Sequence, residues 1–193
     1  MKLLVRGGSI AAGIGVKRSY VDMIRTANPG METINRSRIN DNTFHAIWNF
    51  YEDIDPFKPE MLLIHFGVEG AYSSVYRSEF KENLVQIIRL AKNRFNPDIM
   101  LLTSHPLENQ YEMAMIYSYY RIIREVAMDL GCEYIPIHAY WNSQILEANS
   151  NLADYLQHDI RYPNELGHEL YARAISQKLE WKRCNNTLEI VKE

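Results

Sequence analysis

Short apolar segments that alternate with helical patterns constrain the fold of this chain more than any other feature of its sequence. The clearest segment is Met61–Phe66, a near-continuous apolar run. Such a run is typical of a strand in a parallel sheet that is covered on both faces. Further strands are predicted at Lys2–Arg6, Met31–Asn35, Asp98–Thr103 and Cys132–Ile137. Because helical patterns separate these strands, we predict an α/β fold with about five parallel strands.

The helical patterns place helices between consecutive strands. Ser78 is predicted to cap a helix in which apolar residues recur at helical spacing from Phe80 to Ala91, and Gly131 is predicted to end another. The segment His138–His158 is predicted to be a loop with short helical pieces. The remaining predicted helices are Lys17–Thr26, Thr43–Tyr51, Tyr111–Leu130 and Asn164–Arg183. In such a sheet ligands bind at the carboxyl ends of the strands, so the loops there are the place to look for a site.

Length and charge exclude several classes of function. The chain has 193 residues, which suits one domain, predicted over 1–183 with a polar C-terminal tail over 184–193. A net charge of −3 without a basic cluster predicts binding neither to nucleic acid nor to a membrane surface. No apolar run approaches a membrane span or a signal peptide, which predicts a cytoplasmic location. Two widely separated cysteines, Cys132 and Cys184, predict no disulfide and no metal site.

The glycine-bearing loop after the first strand was tested as a phosphate-binding loop. It contains Gly8, Gly13 and Gly15, but no lysine follows them as in a P-loop. The dinucleotide-binding spacing of glycines is also missing. The sequence therefore predicts no nucleotide and no other cofactor.

Four blocks of the sequence resemble the SGNH (GDSL-type) serine hydrolases, in which the blocks have the form Gly-Asp-Ser, a glycine, Gly-x-Asn-Asp and Asp-x-x-His. Gly7-Gly8-Ser9 resembles the first block and places Ser9 at the nucleophile, with Gly8 in place of the aspartate. The resemblance implies the flavodoxin-like three-layer α/β/α fold of that family. It also implies that Ser9 is activated by a base, which a carboxylate in turn orients. As a lone serine in such a loop, Ser9 could equally be a helix cap or a turn residue.

The second and third blocks would supply donors to the oxyanion. In this resemblance Asn40 stands where the family has its glycine, and Gly67 matches the glycine of the third block. Glu69 replaces the asparagine of that block. Loss of one such donor typically costs about 2.7–4 kcal/mol of transition-state stabilisation. An ionised Glu69 would also repel the oxyanion, and only a protonated Glu69 or one turned away would avoid that penalty.

The last block carries the most specific match and the most serious departure. Its matching residues are Asp159, Pro163, Asn164, Gly167 and His168. This register gives Asp159 the role of the orienting acid and puts Tyr162 at the position of the catalytic histidine. A phenol is neutral at pH 7 and accepts a serine proton poorly. His158 is the first candidate for a substitute base, with His105, His65 and His138 as further possibilities, whereas His168 is expected to pack inside the last helix.

Three functions remain open from the sequence. The preferred hypothesis is a catalytically impaired pseudo-hydrolase that binds a small ester- or glycan-like ligand. The first alternative is an active serine esterase or acetylhydrolase that acts on carbohydrate esters through a relocated base. The second is an interaction module with a vestigial pocket. If the cleft only binds, Arg6, Arg38 and Arg161 suggest an anionic or polyol ligand.

Overall fold

The computed structural model describes residues 1–73 and 75–190, and side chains as far as residue 180. Five strands form one parallel sheet in the order β2-β1-β3-β4-β5. Their bounds are β1 Lys2–Gly7, β2 Glu32–Asn35, β3 Met61–His65, β4 Asp98–Leu102 and β5 Glu133–Ile135. The predicted α/β class and the five parallel strands are confirmed.

The strand order contains one switch point, and it defines where the loops converge. β1 pairs with β2 on one side and with β3 on the other, so the connections leave β1 and β3 in opposite directions. Gly7 at the end of β1 lies opposite His65 at the end of β3. The loops that follow these two strands therefore begin side by side, at the position where open α/β sheets bind ligands.

Helices flank the sheet in two groups. One group packs α2 and α8 against α9, and the other packs α3 and α7 against α6. The bounds are α1 Ser9–Ala12, α2 Tyr20–Ala27, α3 Thr43–Trp48, α4 Phe50–Asp53, α5 Val68–Tyr72, α6 Arg77–Phe95, α7 Gln110–Asp129, α8 Ile137–Ala148 and α9 Glu165–Ile190. Among the described residues, no helix combines the length and the apolar character that a membrane span requires.

The prediction of a loop with short helical pieces over His138–His158 is wrong for the first half of that segment. Helix α8 occupies Ile137–Ala148, and a short 3-10 helix follows at Leu152–Tyr155. Only Ile137 and Trp141 of α8 are buried, so its apolar stripe is too short to produce a helical period in the sequence.

Four helix boundaries also differ from the prediction. Helix α2 begins at Tyr20, three residues after the predicted start at Lys17. Tyr76 rather than Ser78 precedes the first turn of α6. The helix predicted from Thr43 is interrupted at Asn49, which separates α3 from α4. The last helix continues to Ile190 and so enters the predicted tail, whose residues 191–193 lie outside the described part of the chain.

Candidate functional site

Ser9 lies at the switch point, immediately after β1. It is the first residue of α1 and is fully buried. Its Oγ accepts a hydrogen bond from the backbone N–H of Asn40 at 2.9 Å, and its own N–H donates to Oε1 of Glu69 at 2.5 Å. Gly8, not Ser9, is the cap residue of α1, so Ser9 does not have the helix-capping role that the sequence left open.

Asn40 reaches Ser9 from the loop after β2. Its φ is 64°, in the left-handed region that asparagine adopts more easily than most residues. The loop is fixed beside β1 because the N–H of Arg38 donates to the carbonyl of Gly7. The structure thus places the backbone N–H of Asn40 beside the serine, although here it binds Oγ itself.

Buried ion pairs fix the loop that follows β2. Asp53 is fully buried and accepts two 2.6 Å hydrogen bonds from Arg38 and one of 3.0 Å from Arg36. Arg6 is also fully buried and contacts Asp41 at 2.5 Å and Asp53 at 3.3 Å. The expectation that Arg6 faces the cleft is wrong, because two carboxylates distant in sequence draw it into the interior. Arg38 likewise directs its guanidinium to Asp53.

Glu69 is the second residue of α5, the short helix that follows β3. Gly67, the cap residue that precedes α5, has a φ of 151°, a conformation that favours glycine. The Glu69 carboxylate is not turned away, since its Oε1 accepts the Ser9 N–H. Burial raises the pKa of Glu69, and the hydrogen bonds from Ser9 partly oppose that rise.

Asp159 and Tyr162 do not form a catalytic pair. Both carboxylate oxygens of Asp159 accept hydrogen bonds from Arg161, at 2.9 Å to Nε and 2.6 Å to Nη2. The hydrogen bond from Arg161 lowers the pKa of Asp159 below its usual range. The Arg161 guanidinium also lies 5.5 Å from the ring centres of Tyr72 and Tyr162. Tyr162 contacts Asp159 through a backbone hydrogen bond of 3.0 Å.

None of the six histidines, all in the described part of the chain, has a hydrogen bond to Ser9. His158 is exposed next to Asp159. His65 hydrogen-bonds Tyr20 and Ser104, His105 bonds Tyr171, and His168 accepts the N–H of Tyr20. His138 bonds Thr103, and His45 accepts the N–H of Asn42. Burial lowers the pKa of His65 and His105 to about 3, so these two side chains are neutral at pH 7.

A pocket of about 260 Å³ opens beside Ser9. It brings together three of the predicted site residues, Asn40, Glu69 and Tyr162, whereas Ser9 and Asp159 are not among its lining residues. The remaining lining residues are Val68, Tyr72, Ser73 and Arg161. Sequence analysis missed Tyr72 and Ser73, whose only signal is that they follow the third block within a few residues. Within the described residues, no group of three or more histidine, cysteine or acidic side chains is placed to hold a metal ion.

Solved structures share this fold at low sequence identity. An acetylxylan esterase from Geobacillus stearothermophilus is 20% identical, with a TM-score of 0.79 over 91% of this chain and 92% of that one. Catalytic mutants of that esterase replace a serine, an aspartate or a histidine by alanine. A lipase/acylhydrolase from Enterococcus faecalis is 19% identical, with a TM-score of 0.78 over 94% of this chain and 96% of that one.

Sequence comparison gives the family directly. No curated protein sequence matches the chain. The family model for GDSL-like lipases and acylhydrolases, however, matches residues 5–170. That range contains all four blocks around Ser9, Asn40, Gly67 and Asp159, and it covers most of the predicted domain. The chain is therefore a member of the GDSL-like lipase/acylhydrolase family.

Proposed function

We propose that this protein is a catalytically impaired member of its family that binds a small ester- or glycan-like ligand without turning it over. The observation that carries the proposal is the position of the Glu69 carboxylate. It accepts the backbone N–H of Ser9, the donor that would otherwise face an oxyanion at this serine. A carboxyl group in that place removes a donor, and in its ionised form it also adds a like charge where the transition state becomes negative.

The missing base supports the same proposal. Tyr162 occupies the position of the histidine, and Arg161 engages the carboxylate of Asp159 that would orient it. Nucleophilic serine catalysis needs a base within hydrogen-bond reach of Oγ. The histidines considered as substitutes bond elsewhere or are exposed. Burial also lowers the pKa of two of them, His65 and His105, to about 3, so they accept a proton poorly at pH 7.

The pocket supports a small, neutral and polar ligand. At about 260 Å³ it is slightly smaller than the sites that hold drug-sized molecules. Tyrosine rings, the Ser73 hydroxyl and the Asn40 side chain suit an acyl group or a sugar ring better than a strong anion. Arg161, the one guanidinium in the lining, is already neutralised by Asp159. The fold shared with an acetylxylan esterase agrees with a carbohydrate ester as the ligand class.

A second candidate is an active serine esterase in which Glu69 is the relocated base. The observation in its favour is the contact of the buried Glu69 carboxylate with Ser9, whose N–H it accepts at 2.5 Å, together with the raised pKa of Glu69. A carboxylate with a higher pKa accepts a proton more readily. In this mechanism Glu69 takes the Oγ proton as Ser9 attacks the acyl carbon, and returns it to the leaving alcohol.

Hydrolysis of p-nitrophenyl acetate separates the two candidates. We expect the parent protein to hydrolyse the ester no faster than Ser9→Ala, because Ser9 has neither a histidine base nor a free oxyanion donor. Parent activity that disappears in both Ser9→Ala and Glu69→Gln would establish the second candidate. Tyr162→His alone is expected to stay inactive, because Glu69 still occupies the Ser9 N–H, whereas Tyr162→His combined with Glu69→Asn is expected to gain activity.

A further inference from the structure

The two departures from the family motif nearest to Ser9 lie against each other in space. Position 8 has glycine where the motif has aspartate, and position 69 has glutamate where the motif has asparagine. A Cβ atom added to Gly8 would stand 2.6 Å from each carboxylate oxygen of Glu69. The Glu69 carboxylate therefore fills the space that any side chain at position 8 would enter.

A left-handed backbone does not explain the glycine at position 8. Its φ is −92°, outside the region of positive φ that favours glycine. The nearest atoms to an added Cβ all belong to the carboxyl group of Glu69. Crowding by that one group is the reason that the structure offers for a glycine here.

The carboxyl group cannot simply withdraw. Glu69 is buried, and its Oε1 accepts the Ser9 N–H at 2.5 Å. A side chain at position 8 would push the carboxylate off this donor and leave both buried groups without a partner. Loss of a buried hydrogen bond to a charged group is among the larger single effects on stability.

We propose that Gly8 and Glu69 are one coupled exchange. The family motif carries a carboxylate at position 8, and here Glu69 supplies one from the first turn of α5. By accepting the N–H of Ser9, this carboxylate positions the turn that contains Ser9. Gly8 is required while Glu69 is present, and the two departures count as one structural change rather than two. This inference holds whether or not Ser9 reacts.

A double-mutant cycle on stability tests the exchange without reference to turnover. The variants are Gly8→Asp, Glu69→Asn and the pair together, with urea unfolding midpoints as the readout. We expect Gly8→Asp to lower the midpoint by roughly 1 M, and the pair to recover most of that loss. Gly30→Asp is the matched control, because a Cβ at Gly30 meets no atom within 4 Å, and its midpoint should stay near that of the parent.

Strictly additive losses in the double variant would overturn the proposal. If Gly8→Asp does not fold, Gly8→Ala with Glu69→Asp gives the same comparison on a smaller scale. Shortening residue 69 by one methylene withdraws the carboxyl group, so Gly8→Ala should lower the midpoint less beside Asp at position 69 than beside Glu. An equal loss in both backgrounds would contradict the exchange.

Discussion

Lowering the pH from 7 to 5 should destabilise this protein by on the order of 5 kcal/mol, through three buried histidines. Burial lowers the pKa of His65 and His105 to about 3 and that of His168 to about 4. In the unfolded chain each imidazole has an ordinary pKa near 6.5. At a pH between the folded and the unfolded pKa values, the imidazoles bind protons in the unfolded state but not in the folded state. The stability that is present above pH 6.5 is therefore lost as the pH falls.

Few charged groups lie near these three histidines that could offset the effect of their protonation on stability. Tyr20 stacks on His168, and Tyr171 contacts His65 in a tilted and His105 in an edge-on arrangement. Burial raises the pKa of both tyrosines, so they are neutral in this range. Glu69 acts in the opposite direction, because burial raises its pKa and the folded state then takes up a proton first. Because one carboxyl group opposes three imidazoles, the histidines determine the sign of the change in unfolding free energy with pH.

Urea unfolding at pH 7 and pH 5 measures this effect. His168→Asn should reduce the difference between the two pH values by about a third, since asparagine can accept the Tyr20 N–H without titrating. The exposed His158→Asn is the control and should leave the difference unchanged. A parent protein whose unfolding free energy differs by less than about 1 kcal/mol between pH 7 and pH 5 would show that the imidazoles are not held neutral.

Replacing Asp53 by asparagine should cost about 3–5 kcal/mol of unfolding free energy. Asp53 is the fully buried carboxylate that joins Arg6, Arg36 and Arg38. Burial already lowers the pKa of Arg6, and the charges of Asp41 and Asp53 oppose that effect. Without Asp53, the buried Arg6 keeps Asp41 as its carboxylate partner and the carbonyl of Gly7 as an acceptor, and a buried charge that loses a partner is strongly unfavourable.

A nearby aspartate provides the matched control for Asp53. Asp55 pairs with Arg94 at the surface, where both side chains remain partly exposed. Solvent screens such pairs, so Asp55→Asn should change the unfolding free energy by less than about 1 kcal/mol. Equal losses for Asp53→Asn and Asp55→Asn, measured by urea unfolding, would mean that the buried ion pairs do not support the loop around Asn40.

The sheet was predictable because its signal is local. β3 is buried along its whole length and β1 and β4 along most of theirs, so their sequences contain continuous apolar runs. Helix α8 was missed because it buries only two side chains, which leaves no period to detect. Strand content is therefore visible in the sequence where burial is complete, and helix content is lost where burial is slight.

The sequence predicted where the site residues lie in the fold, but not which side chains they contact. The four blocks put Ser9, Asn40 and Glu69 near the ends of neighbouring strands, and the structure brings these three together. The sequence could not show that the Glu69 carboxylate fills the space at Gly8, because that contact joins residues 61 positions apart. Nor could it show that Arg6 is buried, since its partners Asp41 and Asp53 are distant from it in the sequence and contact it only in the folded structure.

Covalent labelling of Ser9 tests the central claim most directly, namely that this serine is placed like a nucleophile but is not activated. The parent protein is incubated with a fluorophosphonate, and the intact mass is compared with that of Ser9→Ala. We predict no adduct on the parent under conditions that fully label an active serine hydrolase. A stoichiometric adduct that is absent from Ser9→Ala would contradict the account, because it would show that Ser9 has a working base and a usable oxyanion site.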